Sequence, residues 1–267
     1  MSSILNKIVE KKRLEVEATK RDRSISMVKA LALEAAPALS LQSALSSPNS
    51  KSHIIAECKK KSPSKGVLCQ DYQAHKIAQD YEHGGATAIS VLTDQEYFGG
   101  HLEHLRAVKQ TVSIPVLRKD FIIDEYQIWE SRSFGADSFL LIAGLLDFAS
   151  LQYFIEVGRE IGMEPLVETH SLEDVSEALK TDARIIGVNC RNLETFSVDL
   201  NHAEQMYKTL QPYGEGRVFV CESGIKSFED ISYFSEIGYS AFLVGESLIK
   251  QQDKQKALEA LIQKKKN

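Results

Sequence analysis

Eight short apolar runs, each followed by a polar or helical stretch, predict an α/β protein: a (β/α)8 TIM barrel with an N-terminal helical extension. Two further patterns agree. Glycine-led turns precede three of the runs, and charged side chains directly follow most of them. The length of 267 residues also suits a fold that typically takes about 250. The competing architecture is a doubly wound open sheet. It usually has fewer strands, and no GxGxxG follows the first run.

Residues 1–47 stand outside the repeat and read as one or two extra helices placed to cap one end of the barrel. Leu5, Ile8, Val9 and Val16 lie along one face of the first. Residues 46–52 (SSPNSKS) form a loop into strand one. The apolar runs are 53–58, 88–92, 115–117, 138–142, 165–167, 185–188, 218–221 and 241–244, spaced about 20 to 35 residues apart as βα units require. Their nearly continuous apolar character fits strands buried on both faces. Helical segments lie between them. The stretch 145–162 carries Leu146, Phe148, Leu151, Phe154, Ile155 and Val157, and 228–238 carries Ile231, Phe234 and Ile237 three apart. Gly84-Gly85-Ala86, Gly135-Ala136-Asp137 and Gly238-Tyr239-Ser240 stand just before strands, where a helix C-cap and a tight turn favour glycine. The chain ends in Gln263-Lys264-Lys265-Lys266-Asn267, read as a solvated tail complementing the last helix dipole. Residues 1–267 are read as one barrel domain, with 1–47 packed on it.

A net charge of −5 argues against a nucleic-acid surface, which usually shows a basic bias. Cys58, Cys69, Cys190 and Cys221 stand far apart with no CxxC pair, which is neither a disulfide framework nor a zinc pattern. The charged, amphipathic N-terminus is not a signal peptide, and no stretch approaches the roughly 20 apolar residues that span a bilayer. A cytoplasmic monomer with neither nucleic-acid nor membrane partners is expected, and no exposed apolar stripe stands out as an interface. His101 and His104 lie three apart on a predicted helix and read as helix surface rather than a metal site.

Chemistry on this fold sits at the C-terminal ends of the strands. Strand one runs into Glu57 and Lys59, two apart and so on one face, then Lys61 to Gly66. Strand three ends in Arg118-Lys119-Asp120-Phe121, strand five in Glu168, and strand six in Asn189-Cys190-Arg191-Asn192. Strand seven ends in Glu222-Ser223-Gly224 and strand eight in Gly245-Glu246-Ser247. One such charge is usually a loop residue. Jointly, Glu57, Lys59, Lys119, Glu168, Asn189, Arg191 and Glu222 would ring one mouth, and alternating carboxylates and ammonium groups tune each other's pKa for acid–base work. The last two strand ends offer open backbone N–H groups, where barrels of this kind often hold a phosphate.

These residues resemble the indole-3-glycerol-phosphate synthase family. The resemblance rests on Ile55-Ala56-Glu57-Cys58-Lys59-Lys60-Lys61-Ser62-Pro63-Ser64-Lys65-Gly66, on Leu92-Thr93-Asp94 leading to Tyr97-Phe98-Gly99-Gly100, and on Pro115-Val116-Leu117-Arg118-Lys119-Asp120-Phe121-Ile122. Gly135-Ala136-Asp137, Pro165-Leu166-Val167-Glu168, Gly187-Val188-Asn189-Cys190-Arg191-Asn192-Leu193 and Glu222-Ser223-Gly224-Ile225 continue it in order. It implies closure of an indole ring: 1-(2-carboxyphenylamino)-1-deoxyribulose 5-phosphate becomes indole-3-glycerol phosphate, carbon dioxide and water, with no metal or organic cofactor. It assigns protonation of the substrate carbonyl to Lys119, leaving the division of acid work between Lys119 and Lys59 open. Lys59 would pair with the substrate carboxylate and donate a proton in dehydration. Glu168 would stabilise the cationic intermediate or remove a proton. Glu57 and Asn189 would orient hydroxyls, and Glu222 would hold the network. Phe98, Phe121, Leu140 and Leu243 are candidates for packing on the aromatic ring, although the two leucines read first as core. Ser62, Lys61, Gly224, Gly245 and Glu246 would take the phosphate, with Arg191 and Ser223 also binding substrate.

The sequence departs from the family pattern at Cys58, where an aliphatic residue is expected, and Cys190 follows Asn189. Both are read as small hydrophobes in the core or wall. Glu246 stands where some members have Ser, so a phosphate contact there must come from backbone, with the side chain turned to solvent. The rival readings are a phosphoribosylanthranilate isomerase-like or other phosphate-binding barrel, and a catalytically dead barrel that senses phosphorylated ligands. The isomerases would show a Cys/Asp or Asp/Asp pair where this chain has lysines and glutamates, and a sensor has no need of matched acids and bases.

Overall fold

The structure, a computed structural model, describes residues 3–48, 52–191 and 199–263. Among them, eight parallel strands close on themselves. They are β1 His53–Cys58, β2 Ala88–Leu92, β3 Val116–Lys119, β4 Ser138–Ile142, β5 Leu166–Thr169, β6 Ile185–Asn189, β7 Val218–Glu222 and β8 Ala241–Val244. Each pairs with its successor, and β8 closes on β1. Helices cover the outside: α4 Ala74–His83, α5 Leu102–Lys109, α6 Glu125–Ser133, α7 Phe148–Glu160, α8 Leu172–Lys180, α9 Leu200–Leu210 and α10 Phe228–Ile237, then α11 Glu246–Ile249 and α12 Lys254–Ile262. They are preceded by α1 Ser3–Asp22, α2 Ile25–Glu34 and α3 Leu41–Leu45.

Four of the predicted runs match their strands. The others shift for identifiable reasons. β3 and β5 begin one residue late because Pro115 and Pro165 have no N–H to donate to a ladder. β3, β5, β6 and β7 run on through Lys119, Thr169, Asn189 and Glu222, so polar residues read as loop are the last rungs of the sheet. The segment 145–162 is interrupted: Asp147 accepts a hydrogen bond from Ser150 N at 2.8 Å and starts α7 there, after a short 3-10 turn at Ala143–Leu145. Gly135 and Gly238 adopt φ of +90° and +128°, the left-handed region their turns require. Asn49 to Lys51, Asn192, Leu193 and the Lys264–Lys265–Lys266–Asn267 tail lie outside the described residues.

Side-chain alternation builds two apolar layers. The outward row of each strand joins the helices; Ile54, Ala56 and Cys58 of β1 belong to it, as do Val188, Cys190 and Cys221. The inward row fills the barrel with Ile55, Leu117, Leu140, Leu166, Ile185, Val220 and Leu243. The Cys190 and Cys221 sulfurs lie 3.9 Å apart within the outer layer.

The N-terminal extension has three helices rather than one or two, and it follows the barrel wall from mouth to base. On α1, Lys12 reaches the loops beyond β2 and β3, bonding Asp94 and Asp120 at 3.0 Å each. α2 covers the outer face of α6, so that Tyr126, Gln127, Ile128, Trp129, Glu130, Ser131 and Arg132 are all buried. Asp137 accepts from Leu39 N at 2.9 Å and ties the next segment to the start of β4. α3 then plugs the base. Leu41 and Leu45 join the inner layer, and Gln42 donates to Gly216 O at 3.1 Å, just ahead of β7. On α2, Met27, Leu31 and Leu33 are exposed to solvent, which periodicity did not reveal. His101 caps α5 instead of lying on it, its Nδ1 accepting from Glu103 N at 3.1 Å, and His104 packs half-buried on Tyr72. Among the described residues no cluster of His, Cys, Asp or Glu is arranged to hold a metal, and no helix is long and apolar enough to cross a membrane.

Candidate active site

The same alternation that fills the barrel delivers its polar ends. Glu57 follows Ile55 inward on β1, Lys119 follows Leu117 on β3, and Glu168 follows Leu166 on β5. Asn189 and Glu222, paired in register on β6 and β7, complete the row. These five groups meet at the C-terminal mouth in a cleft of about 410 Å³. Leu140 and Leu243 line its floor, serving the core and the cavity together. Phe98 and Phe121 form one wall, with ring centroids 6.1 Å apart. Lys59, Ser62, Arg191, Ser223, Gly224, Gly245 and Glu246 line the rest.

Lys61 is the exception. Although nominated as a phosphate ligand, it is absent from the lining; its ammonium donates to the carbonyl of Glu96, beyond the rim. The cause is the short antiparallel hairpin Lys61–Ser62 with Gly66–Val67, where side chains alternate and Ser62 takes the cleft side. The hairpin is braced where Lys61 N donates to Phe98 O at 3.2 Å.

At the centre, Lys119 Nζ lies 2.7 Å from Glu168 Oε2 and 3.3 Å from Glu222 Oε2. Asn189 donates from Nδ2 to Glu168 Oε1 at 3.2 Å, while its Oδ1 accepts from Arg191 N at 3.0 Å, which fixes the orientation of the amide. Lys59 bonds Glu57. His170 Nε2 stands 3.1 Å from Glu168 Oε1, at ion-pair distance but without hydrogen-bond alignment. Two glycines make room for the carboxylates. A Cβ on Gly187 would sit 2.1 Å from Glu222 Oε1, and one on Gly245 would sit 2.1 Å from Glu57 Oε2.

Burial disfavours charge on all three central groups, and their neighbours decide the outcome. For Lys119, the carboxylates of Glu168, Glu222 and Glu57 outweigh burial and hold the ammonium above its ordinary range. Glu168 is likewise buried, yet Lys119 and His170 drive it well below the usual carboxylate range. Glu222 goes the other way. Burial and the charge of Glu168 outweigh the pull of Lys119 and push it well above that range. Two buried carboxyls beside one cation cannot both ionise easily, so Glu168 is held towards its charged form and Glu222 towards its neutral form. Environments that push paired carboxyls apart in this way separate a base from an acid.

Beyond β7, Ser223 has φ of +69°, the only non-glycine residue with positive φ among those described, and Gly224 follows at +88°. Strain of this kind costs on the order of 1–3 kcal/mol and is commonly found at functional turns.

Several lining residues were not nominated. Asp120 was quoted only as part of a strand end; it lines the cleft beside Lys119 and is buried against Arg118 (3.1 Å) and Lys12. Lys65 and Lys250 bond Glu246 at 2.8 and 2.7 Å, and Arg191 stands 3.7 Å from it. The i,i+4 spacing of Glu246 and Lys250 was a readable signal. The side chain of Glu246 therefore does not turn to bare solvent, as expected, but sits among three cations of the cleft. Lys226 also lines the cleft and left no signal of its own.

Comparison with known proteins adds to this geometry. The family model for indole-3-glycerol phosphate synthase matches residues 5–261. A protein of that name from Carboxydothermus hydrogenoformans is 44% identical over 97% of this chain and 99% of its own length. Another of that name, from Priestia megaterium, is 43% identical over 97% of both. Among solved structures, a 3-hexulose-6-phosphate synthase aligns with TM-score 0.61 at 15% identity, covering 78% of this chain and 97% of its own. That likeness concerns the fold alone.

Proposed function

The chain belongs to the indole-3-glycerol phosphate synthase family, and from that premise we propose that this cleft closes the indole ring with Lys119, Lys59 and Glu168 as its acids and base. The enzyme is a carboxy-lyase. It converts 1-(2-carboxyphenylamino)-1-deoxyribulose 5-phosphate to indole-3-glycerol phosphate, carbon dioxide and water.

The observation that carries the assignment is the position of Lys119 Nζ, charged and held between Glu168 and Glu222 on the floor of the cleft. In the first step the ring carbon bearing the carboxylate attacks the C2′ carbonyl, and Lys119 supplies the proton to the developing alkoxide. Loss of carbon dioxide returns the bonding electrons to the ring. Dehydration then removes the C2′ hydroxyl, protonated by Lys59, while ionised Glu168 takes a proton as the new ring becomes aromatic. General acid–base groups of this kind typically contribute about 10²–10⁴ in rate. Glu57 and Asn189 orient hydroxyls of the sugar chain. Glu222, pushed towards its neutral form, holds the network in place beside Lys119. Phe98 and Phe121 take the aromatic ring, and Arg191, Ser62, Ser223, Gly224 and Gly245 face the phosphate end.

An isomerase would set a cysteine or a pair of aspartates at the reacting centre. Here Cys58, Cys190 and Cys221 lie in the outer layer, away from the cleft. The protein works, on this reading, as a cytoplasmic monomer in which the extension is part of one folded unit.

The test is the rise of indole fluorescence when purified protein meets the substrate. Wild type should turn over, and Lys119→Ala should lose about a hundredfold or more in kcat. Folded wild-type protein that gives no signal would overturn the assignment, and an undiminished Lys119→Ala would remove Lys119 from its role.

A further inference from the structure

Glu246 stands at the cleft among three cations, none of them shared with the catalytic carboxylates. Its Oε1 accepts from Lys250 Nζ at 2.7 Å and forms an ion pair with Lys65 Nζ at 2.8 Å, and Oε2 lies 3.7 Å from Arg191 Nη2. All four residues line the cleft, on the side formed by Ser223, Gly224 and Gly245. The three cations come from three loops, those after β1, β6 and β8. The carboxylate stands among all three. Its own side chain remains a quarter exposed (26%), so it can swing away without opening the core. Although partial burial disfavours its charge, Lys250 and Lys65 hold its pKa down to about 2.

We infer that Glu246 is an internal placeholder for the phosphate of the substrate: its carboxylate gathers Lys65, Arg191 and Lys250 in the empty enzyme and yields them to the phosphate on binding. The inference rests on the phosphate end of the ligand lying on this side of the cleft, as read above. Charge supports it. Once the carboxylate yields, three cations face the roughly −1.5 to −2 charge of a phosphomonoester at neutral pH, more than the single charge it replaces. Competition follows from charge and place, because a phosphate brought to the same three cations meets the carboxylate already among them. Partly exposed pairs of this kind are individually weak, so the exchange is reversible. The residue sets selectivity as well, since only a ligand bringing more than one negative charge improves on the carboxylate it displaces.

The test measures binding of inorganic phosphate by calorimetry to the whole enzyme and its variants, at fixed pH and ionic strength. Removing a weak competing pair should make Glu246→Gln bind phosphate about fivefold more tightly than wild type. Glu246→Ser should behave alike, which guards against an effect peculiar to the amide. Lys65→Met and Lys250→Met should each bind it about fivefold more weakly. If both Glu246 variants bind phosphate no better than wild type while Arg191→Met binds it worse, the phosphate end is where it was read and the placeholder role is overturned. If the variants of Arg191, Lys65 and Lys250 all bind like wild type, the placement of the phosphate end fails, and this inference with it.

Discussion

Glu168 and Glu222 are the same residue type at equivalent inward positions of β5 and β7, yet their pKa values are pushed in opposite directions. Strand-end position made both legible as site residues. Their protonation was not legible, because it depends on Lys119 from a third strand and on how closely Gly187 lets Glu222 approach. Glu222 is almost fully buried and its Oε1 has no hydrogen-bond partner, an arrangement that typically costs about 1–3 kcal/mol. A carboxyl whose folded pKa is raised loses stability with rising pH: the unfolded chain ionises near 4.5 while the folded one holds its proton to higher pH. Glu222→Gln removes that loss. The variant should be more stable than wild type by on the order of 1 kcal/mol at pH 8, and less so at pH 5, while turnover falls. Thermal unfolding at the two pH values checks this, and an advantage that shrinks from pH 5 to pH 8 would contradict it.

At the scale of elements, the strands and most helices could be read because their periods differ and their ends carry glycine, proline or capping residues. Ser171 with Asp174 and Ser227 with Asp230 form capping boxes at the starts of α8 and α10. The extension was harder. α3 is five residues long, too short for a helical period to show, although Ser40 caps it. Lys12 lies on the face of α1 that carries Leu5, Ile8 and Val16, and a lysine there reads as a solvated interruption. It is instead buried between Asp94 and Asp120. Asp94 also accepts from Tyr97 N and Phe98 N, at 2.8 and 3.3 Å. Lys12 thus holds both the turn bearing Phe98 and the residue next to Lys119. Removing one member of such a buried set typically costs about 3–5 kcal/mol, so Lys12→Met should lower the urea midpoint and kcat together. Asp120 adds a pH signature. Despite burial, Lys12 and Arg118 hold it far below its ordinary range, so its stabilising effect is present above about 3.9, its unfolded pKa, and is lost only in strong acid. Without Lys12 the acid-unfolding midpoint should move to higher pH. An unchanged midpoint in urea and in acid would show the clamp to be idle.

Over the whole molecule the barrel separates two tasks by its ends. The inward row is charged at the mouth and largely apolar towards the base, and the extension touches both, with Lys12 at one and α3 at the other. Leu41 and Leu45 are fully buried in the inner layer, and His53 Nε2 lies 3.1 Å from Ser47 O beside them, at the first residue of β1. In a barrel of this kind the N-terminal face serves stability and the C-terminal face chemistry. Closing the base with a short helix rather than with strand residues makes that division testable. Leu41→Ala leaves a cavity beneath the strands, for a loss of about 3 kcal/mol, and Leu41 itself does not line the cleft. Its urea midpoint should fall as far as that of Lys12→Met, yet kcat and KM well below the transition should stay at wild-type values. The comparison separates the two ends of one extension at matched stability. If Leu41→Ala loses turnover in step with Lys12→Met, the base and mouth are mechanically coupled, and the clamp at Lys12 has no special claim on Lys119.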